Sequence, residues 1–449
     1  MIAEMPLSHL FYAGKAFRKT ESNNTRKPVR GWAYMGLDFY TLDDFDLTGK
    51  RVLLRLDINS PIDPATGELL DDSRMRQHAE TIKALSHAKV VILAHQSKPG
   101  KSDFTPLDKH AKRLSSILGK SVMYCDSLFD RRALGAIKAL ENGDVLLLEN
   151  TRFFAEDVAL KDKDVKVQIK SHIIRNLAPA ADYFVNDAFA AAHRNQPTIV
   201  GFCEVLPSAA GRIMQKELVA VGKVLHGAER PTLAILGGAK VDDSIDVMTN
   251  MLQKGIADKV MTTGVVANMF LLAKGYDLGK PSVDFLEKEV EDWRKLVEAA
   301  KGLMATYGDR ILVPSDVAVN DGGERIDMTF DQLPSSHPVM DLGIDTVVSY
   351  IEEIEKAKTI CLNGPAGVFE LEQFAFGTLE IFKAIAEADA YTVIGGGHTS
   401  AVAEQLQLEG KVNHISTGGG ALINYLAGKD LPAVEALKRS KIKFPKGTK

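Results

Sequence analysis

Short apolar runs recur along the whole chain, and stretches with helical spacing of apolar residues separate most of them. Such runs are typical of strands buried on both faces of a parallel sheet, with crossover helices between them. In the first half they lie at 50–59, 89–94, 145–148 and 183–185. In the second half they lie at 232–236, 259–262, 311–313, 359–362, 391–394 and 414–415. The alternation predicts an α/β protein with two doubly wound, Rossmann-like lobes, each built on a parallel sheet.

Two clusters of helix-breaking residues separate the predicted lobes, at 206–211 and 229–231. Residues 212–225 between them have the spacing of a long helix, so we interpret 207–230 as a connector helix with a hinge. This interpretation gives an N-lobe at 35–206 and a C-lobe at 231–425. A C-terminal segment at 426–449 is expected to pack back on the N-lobe. Residues 321–338 carry few strand or helix signals and predict a loop with a short hairpin.

The N-terminal residues 1–34 are polar and basic, and they lack the apolar core of a secretory signal. We interpret them as a disordered or misannotated extension, because Met35 is an equally good start and the residues after it resemble the entry to a folded domain. A targeting segment is the alternative interpretation of this stretch.

The bulk composition is that of a soluble globular protein, with 45% hydrophobic and 25% charged residues. The formal net charge is -4, so we expect neither nucleic acid nor an anionic membrane as a partner. Cys125, Cys203 and Cys361 lack CxxC spacing, which argues against a disulfide framework or a zinc site and fits a reducing compartment. No apolar run is long enough to span a bilayer, so the expected location is the cytoplasm.

Cations or histidines follow the predicted strands of the first half. These positions are Arg55, His95, Lys98, Arg152, His193 and Arg194. Asp57 and Asn59 alternate with Arg55 on one face of the chain. Converging cations repel each other unless a polyanion lies between them. The pattern therefore indicates a site for a small, highly anionic substrate, with an Arg–Asp brace and structural histidines as the plainer alternatives.

Arg74 is a further cation of interest because of its place in a predicted helix. The sequence Asp71-Asp72-Ser73 predicts a helix N-terminus immediately before it. A cation is disfavoured near the positive end of the helix dipole. Its position therefore favours a functional role over a solvated surface arginine.

Small-residue turns follow the predicted strands of the second half. They are Gly237-Gly238-Ala239-Lys240, Asn363-Gly364-Pro365, Gly395-Gly396-Gly397 and Gly418-Gly419-Gly420. Glycine turns allow backbone N–H groups to approach phosphates, so this half is predicted to bind a nucleotide. Glu370 is a candidate for the ribose or a plain surface carboxylate, and Thr399 for phosphate, a metal-bound water or a helix cap. The P-loop, the GxGxxG fingerprint and the protein-kinase motifs are missing.

The ordered motifs of the chain resemble those of the phosphoglycerate kinase family. They are Leu-Leu-Arg-Leu-Asp-Ile-Asn-Ser-Pro, Asp-Asp-Ser-Arg, Leu-Leu-Leu-Glu-Asn-Thr-Arg-Phe, Val-Asn-Asp-Ala-Phe, Leu-Gly-Gly-Ala-Lys-Val, Asn-Gly-Pro-Ala-Gly-Val-Phe-Glu, Gly-Gly-Gly-His-Thr and Ser-Thr-Gly-Gly-Gly-Ala. The resemblance runs from about Met35 to the C-terminus. Ala-His-Gln-Ser-Lys-Pro-Gly and Lys-Val-Asp-Asp-Ser are similar to the archaeal branch. A member of this family is expected to transfer a phosphoryl group reversibly between 1,3-bisphosphoglycerate and ADP.

The resemblance also implies which residues bind each ligand. It places 3-phosphoglycerate or 1,3-bisphosphoglycerate against Arg55, Asp57, Ile58, Asn59, Arg74, His95, Gln96, Ser97, Lys98, Arg152 and Arg194. It places Mg-ATP or Mg-ADP against Lys216, Gly237, Gly238, Lys240, Asn363, Glu370, Gly395, Gly396, Gly397, His398 and Thr399. Arg74 and Lys240 are the expected catalytic residues, and no protein ligand to the Mg²⁺ is expected.

Three positions depart from the pattern that the resemblance implies. Lys98 replaces an arginine, which keeps the charge and loses the bidentate fork. Ser244 replaces a lysine that steadies the transferring phosphoryl group in bacterial and eukaryotic members. His398 replaces an aspartate near the Mg-nucleotide, so phosphates and water are expected to hold the metal.

The expected chemistry requires no general base, because a carboxylate acceptor is already ionised near neutral pH. Transfer then depends on lobe closure, positioning and charge neutralisation. A nucleotide sensor that lost turnover and an NAD-dependent dehydrogenase are the rival functions. The sequence leaves open whether the protein is a monomer or a homodimer.

Overall fold

The structure of the protein is a computed structural model that describes residues 37–408 and 410–445, including every side chain in these ranges except those of His398 and Glu404. The predicted extension at 1–34 lies outside the described residues. Within them, no helix has both the length and the apolar character needed to cross a membrane.

The first sheet has the strand order β1-β7-β6-β2-β3-β5-β4, and all of its neighbouring strands are parallel. Its strands are β1 (Tyr40–Thr41), β2 (Arg51–Arg55), β3 (Lys89–Leu93), β4 (Met123–Cys125), β5 (Val145–Leu148), β6 (Tyr183–Asn186) and β7 (Ser208–Ala210). The central strands β2, β3 and β6 are buried at every residue after the first, and β5 is buried throughout. This continuous burial is expected where helices cover both faces of a parallel sheet.

Helices cover this first sheet, and the sheet with its helices forms the N-lobe. They are α1 (Ser73–Ala84), α2 (Asp108–Leu118), α3 (Arg131–Ala139), α4 (Glu156–Ala159), α5 (Val165–Gln168), α6 (His172–Leu177) and α7 (Pro197–Val200). Asp72 stands at the N-cap of α1 as predicted, but its carboxylate bonds the side chains of Arg76 and Arg113 instead of the helix backbone.

The second sheet has the order β10-β9-β8-β14-β15-β16, again with parallel neighbours. Its strands are β8 (Thr232–Leu236), β9 (Lys259–Thr262), β10 (Ile311–Leu312), β14 (Thr359–Asn363), β15 (Tyr391–Gly395) and β16 (His414–Ile415). Counted along the C-lobe this is the order 3-2-1-4-5-6, the arrangement of dinucleotide-binding sheets. Its topological switch lies between β8 and β14, so ligands are expected at the carboxyl ends of these two strands.

The remaining C-lobe elements are helices and a small antiparallel sheet. The helices are α9 (Val241–Gln253), α10 (Gly264–Ala273), α11 (Lys280–Glu289), α12 (Trp293–Tyr307), α13 (Ile344–Lys356), α14 (Phe376–Glu387), α15 (Gly397–Gln405) and α16 (Gly420–Leu426). The sheet has the order β12-β11-β13, with β11 (Asp316–Asp321), β12 (Glu324–Thr329) and β13 (Val339–Leu342). The predicted hairpin within 321–338 is thus part of a three-stranded sheet.

Helix α8 (Arg212–His226) connects the two sheets, and α17 (Pro432–Lys443) follows the C-lobe in the chain. The N-terminal end of α8 contacts α1, and the helix also packs against β14 and β15. Helix α17 packs against β1, β7 and α7 of the N-lobe. Ser440 Oγ on α17 donates to the carbonyl of Leu206 at 3.1 Å. The protein is therefore two doubly wound α/β lobes with a connecting helix.

The predicted breaker at 206–211 contains a strand, which differs from the sequence interpretation. Ser208–Ala210 forms β7, which is parallel to β6 on one side and to β1 on the other. Three small residues give no local strand signal, so the pairing depends on neighbours far away in the chain. The connector helix itself begins at Arg212, as expected.

Candidate active site

Arg55 stands at the carboxyl end of β2, where the parallel register pairs it with Leu93 of β3 and Asn186 of β6. Its side chain is only 1% exposed. One guanidinium nitrogen lies 2.9 Å from His95 Nδ1, while Nε is buried without a partner among the described residues. Burial lowers the pKa of Arg55 to about 10, against the opposing effect of nearby carboxylates. The group is a charged donor with hydrogen-bonding capacity left over.

His95 lies between two guanidinium groups. Its Nδ1 faces Arg55, and its Nε2 lies 3.2 Å from a terminal nitrogen of Arg194. Burial, together with the surrounding arginines, holds the pKa of His95 well below its usual value. A neutral imidazole accepts at only one ring nitrogen, so it can satisfy only one of the two arginines.

Arg74 is the second residue of α1, and its side chain forms an ion pair with Asp57 at 2.8 Å. Asp57 is 4% exposed and Arg74 is partly open to solvent. Burial alone would raise the pKa of Asp57, but the charges of Arg74 and Arg55 outweigh it and hold that pKa well below the usual range. The bounds of α1 confirm the first-turn position predicted for Arg74, and the ion pair leaves part of its guanidinium accessible.

Ser97 is held in the left-handed region, with φ of 52°. This conformation costs a non-glycine residue of the order of 1–3 kcal/mol, so the surroundings must impose it. Asn59 Oδ1 accepts the Ser97 N–H at 2.6 Å, Asp103 accepts its hydroxyl, and Arg152 donates to its carbonyl. The strained loop therefore joins three of the predicted substrate residues.

Arg152 and Arg194 follow β5 and β6 and lie close enough to affect each other. Burial lowers the pKa of Arg152, and the charge of Arg194 lowers it further. The same arginine contributes, after burial, to the lowered pKa of His193, which is about 4. An anion between these groups would turn this repulsion into attraction. The electrostatics fit the predicted anionic substrate.

Two predicted substrate residues have side chains that pack or form hydrogen bonds inside the protein. Ile58 is fully buried in a hydrophobic cluster with Leu56 and Met75. Because this side chain is fully buried, only the backbone of Ile58 can reach a ligand. Gln96 Oε1 accepts from the backbone of Ser60, and its Nε2 donates to the carbonyl of the same residue. Lys98 is exposed at the tip of the loop.

The glycine turns after β8 and β14 pack directly against each other at the switch point. Gly237 N–H donates to Asn363 O at 2.8 Å, and Gly238 N–H to Pro365 O at 2.9 Å. A Cβ on Gly237 would lie 2.1 Å from Thr263 Oγ1, and one on Gly364 would lie 2.1 Å from Gly237 O. These N–H groups are used within the protein, which differs from the expectation that they face phosphate. Glycine is required here by backbone packing.

The N-terminus of α15 is an open part of the glycine-rich edge. The helix begins at Gly397, and a Cβ built there would meet nothing within 4 Å. The first N–H groups of a helix have no partner within it and favour an anion. Asn363 Oδ1 is buried beside Gly396 without a partner among the described residues. Thr399 Oγ1 accepts from Gly364 N–H at 3.0 Å, so it joins two turns and does not cap the helix.

The cations predicted for the nucleotide differ in their surroundings. Lys240 is exposed at the N-cap of α9, and among the described residues its ammonium has no bonding partner. Lys216 on α8 forms an ion pair with Glu80 of α1. Ser244 Oγ bonds back to Lys240 O at 3.0 Å, so it cannot replace a lysine that reaches a ligand. Glu370 is exposed, and the His398 side chain lies outside the described ones.

The carboxyl ends of the two sheets meet at one place. A Cβ at Gly418 would lie 2.4 Å from the ring of Phe189, and one at Gly420 would lie 3.7 Å from the ring of His193. His193 Nδ1 is buried without a partner among the described residues. The loop after β6 therefore touches the turn after β16.

Sequence reasoning missed two residues that support these edges. His78 on α1 lies 2.7 Å from Asp187, which follows β6. The signal for His78 is its place four residues after Arg74, one helical turn further on the same face. Asp187 lies in a loop where nothing in the local pattern separates a ligand-binding carboxylate from a structural one.

The fold and the two edges define a two-lobed phosphotransferase, with a cationic anion site on one lobe and a switch-point crevice on the other. Residues 42–429 match the family model described as phosphoglycerate kinase. The chain belongs to the phosphoglycerate kinase family, which confirms the resemblance stated from the sequence.

Individual relatives agree with this assignment. The chain is 49% identical to phosphoglycerate kinase from Methanothermus fervidus, over 90% of this chain and 98% of that protein. It is 51% identical to the enzyme from Methanococcus maripaludis, over 90% and 98% respectively. The crystal structure of phosphoglycerate kinase from Pyrococcus horikoshii aligns with a TM-score of 0.83 at 41% identity, covering 90% of this chain and all of that one. The Coxiella burnetii structure aligns with a TM-score of 0.74 at 31% identity, over 89% and 99%.

Proposed function

We propose that this chain transfers a phosphoryl group reversibly between 1,3-bisphosphoglycerate and ADP, giving 3-phosphoglycerate and ATP, in glycolysis or gluconeogenesis. Membership of the family supports the activity. The observation that carries the assignment of the substrate site is the cluster of Arg55, Arg152 and Arg194, whose mutual repulsion a bound anion would relieve beyond the effect of Asp57 and Asp157.

On the N-lobe, the phosphoglycerate binds along the edge formed by the ends of β2, β3, β5 and β6. Arg152 and Arg194 neutralise its phosphate, and their planar groups suit bidentate bonds. Arg74 neutralises charge at the carboxyl end, since its ion pair with Asp57 leaves part of the guanidinium accessible.

On the C-lobe, the nucleotide binds at the switch point between β8 and β14. Its phosphates lie against Lys240 and the open N-terminus of α15, while Asn363 Oδ1 and Glu370 face the nucleotide. Lys216 must leave Glu80 to reach the phosphates.

In the ATP-consuming direction, a carboxylate oxygen of 3-phosphoglycerate attacks the γ-phosphorus in line. The bond from that phosphorus to the bridging oxygen breaks, and ADP leaves. The attacking carboxylate is already ionised near neutral pH, so no general base takes part. Arg74 and Lys240 supply positioning and charge neutralisation as negative charge spreads over the transferring group.

Magnesium belongs with the nucleotide in this proposal. Among the described residues, no group of three or more His, Cys, Asp or Glu side chains could hold a metal ion. The unpartnered oxygens of Asn363 and Thr263 are neutral ligand types that Mg²⁺ accepts, so the crevice is compatible with the ion. Phosphates and water remain its main ligands, and the ion would neutralise phosphate charge.

Lobe closure brings the two ligands in line, with hinges at 207–211 and 225–231 on either side of α8. This proposal divides the chain into an N-lobe at 35–206, a connector at 207–230 and a C-lobe at 231–425. We further propose a cytoplasmic location, which the unpaired Cys125, Cys203 and Cys361 support.

A coupled assay tests the function. Purified protein, 3-phosphoglycerate and Mg-ATP are linked to NADH oxidation through glyceraldehyde-3-phosphate dehydrogenase, and turnover that requires both substrates is expected. Calorimetric titration with ADP and with NAD runs beside it, and only ADP should bind. Folded protein that binds ADP without turnover would support a sensor instead, and binding of NAD would support a dehydrogenase.

A further inference from the structure

The first turn of α8 is capped by a side chain from elsewhere in the N-lobe. The N-cap residue is Gly211, which has no side chain to satisfy the first helical N–H groups. Asp187 Oδ1 replaces it, accepting from Ile213 N–H at 2.8 Å and from Met214 N–H at 3.2 Å. A Cβ on Gly211 would lie 2.2 Å from the same oxygen, so glycine is needed for this approach. The carboxylate also suits the positive end of the helix.

His78 holds this capping carboxylate from the other side. It is buried on α1, and its Nδ1 lies 2.7 Å from Asp187 Oδ2. Its Nε2 accepts the backbone N–H of Asp57 at 3.3 Å. Because a backbone N–H can only donate, Nε2 is the acceptor and the ring proton lies on Nδ1. One imidazole thus links the substrate edge to the cap of the connecting helix.

The same face of α1 carries two further contacts. Arg74, His78 and Thr81 are spaced by four and three residues, so they lie along one face. Arg74 bonds the Asp57 carboxylate, and Thr81 Oγ1 accepts the N–H of Arg212 at 3.0 Å. Along this face Arg74 therefore contacts the substrate edge and Thr81 contacts the first turn of α8, while His78 between them bonds both Asp57 and the carboxylate that caps α8.

We propose that His78 is a positioning residue that makes Asp57 and Arg74 move together with the first turn of α8. It rests on the proposed function, because it assigns Arg74 to the phosphoglycerate. A substrate anion at Arg74 alters the ion pair with Asp57, and the imidazole passes that displacement to Asp187 and so to α8. Since α8 also packs against β14 and β15, the displacement reaches the nucleotide-binding lobe.

Two conservative variants separate the two bonds of the ring. In His78→Asn, the amide nitrogen stands near the position of Nδ1 and keeps the bond to Asp187, while the bond to Asp57 is lost. In His78→Gln, the amide oxygen stands near the position of Nε2 and keeps the bond to Asp57, while the bond to Asp187 is lost. His87→Asn is the matched control, since His87 is an exposed histidine of the same lobe.

The two variants should differ in what they lose. His78→Asn should raise the dissociation constant for 3-phosphoglycerate about fivefold, as expected for one hydrogen bond, and leave that for ADP unchanged. His78→Gln should bind 3-phosphoglycerate like the wild type but lose about fivefold in kcat at saturating substrates. His87→Asn should match the wild type in both. Variants that keep wild-type values for both ligands and for kcat, or that weaken both ligands equally, would overturn the proposal.

Hydrogen–deuterium exchange provides a second test, and its first part needs only the wild-type protein. Adding 3-phosphoglycerate alone should slow exchange at the amides of Ile213 and Met214, and His78→Gln should abolish that response. If 3-phosphoglycerate binds the wild type and exchange at these amides does not change, His78 transmits nothing. If 3-phosphoglycerate does not bind the wild type at all, the proposed function fails first.

Discussion

The two carboxyl edges of this protein use opposite means to receive phosphorylated ligands. The N-lobe edge buries charge: Arg55 is 1% exposed, and Arg152 lies near Arg194. The C-lobe edge buries almost no charge at its switch point, where Gly237 and Gly364 allow two backbone turns to touch. The N-lobe site is formed by charged side chains that repel each other. The C-lobe site depends on glycines, whose lack of a side chain allows the turns to pack.

This difference determines how each site should fail. Removing a cation from the N-lobe edge removes ligand affinity and relieves the ligand-free protein of repulsion. Adding even a methyl group to the C-lobe edge disrupts the backbone itself, because packed interiors tolerate little extra volume. Substitutions at the N-lobe edge should therefore lower activity without lowering stability. Substitutions at the C-lobe edge should lower both.

The largest effect is expected from Arg74→Ala. Loss of a group that neutralises transition-state charge should lower kcat roughly 100- to 1000-fold. Arg76→Ala is the matched control, because Arg76 is exposed on the same helix and pairs only with Asp72 among the charged groups described. Steady-state rates in the coupled assay measure both. A kcat near wild type for Arg74→Ala would remove this residue from the mechanism.

A pH effect on stability is expected from His110, which supports the substrate loop through its bond to Gln96. Burial lowers the pKa of His110 from 6.5 to about 4. The unfolded state therefore binds the proton first, and stability present above pH 6.5 is lost as the pH falls through 4. A pKa difference of two and a half corresponds to about 3 kcal/mol of unfolding free energy. Between pH 7 and 4, the unfolding free energy of His110→Gln should therefore fall by about 3 kcal/mol less than that of the wild type. Urea unfolding at each pH measures this, and equal losses would contradict it.

Gly237→Ala should damage the C-lobe edge through sterics alone. The added Cβ lies 2.1 Å from Thr263 Oγ1 and 2.5 Å from a backbone carbonyl, so overpacking should cost about 1–3 kcal/mol of unfolding free energy. Gly302→Ala is the control, since a Cβ there meets nothing in α12 and should stabilise by about 0.5–1 kcal/mol. Thermal unfolding compares the two. Equal stabilities of Gly237→Ala and Gly302→Ala would show that the turn packs less tightly than these distances indicate.

The smallest effect is expected from removing a repelling charge. Arg194→Gln should raise the unfolding free energy of the ligand-free protein by less than about 1 kcal/mol, because a partly exposed pair interacts weakly. Lys240→Gln should leave it unchanged, since that lysine is exposed. Both should impair turnover. A loss of stability in Arg194→Gln would mean that its bond to His95 outweighs the repulsion.

The fold was predictable wherever burial alone dictates the sequence. Val145–Leu148, Thr232–Leu236 and Lys259–Thr262 are strands with the predicted bounds, because apolar runs of this length have few other places to lie. Ser208–Ala210 was not predictable, since its strand depends on partners rather than on its own residues. The run at 50–59 ends as a strand at Arg55, earlier than its apolar residues indicate.

The site was predictable by residue type but not by contact. The sequence pointed to cations at strand ends, and the structure brings Arg55, His95, Arg152 and Arg194 together. It could not reveal that Gly237 N–H is used within the protein, or that His78 supports Asp57 from α1. The first depends on which loop lies opposite, which no local pattern encodes, and for the second the sequence offers only the spacing of His78 from Arg74.

Separate calorimetric titrations of 3-phosphoglycerate and Mg-ADP test the central claim most directly. The proteins are the wild type, Arg152→Gln at the cationic edge and Asn363→Ala at the switch point. Arg152→Gln should weaken 3-phosphoglycerate about tenfold or more and leave Mg-ADP unchanged, because a charged hydrogen bond contributes about 1.5–3 kcal/mol. Asn363→Ala should do the reverse. If either variant weakened both ligands equally, the two edges would not be separate sites, and the division of labour proposed for the two lobes would be wrong.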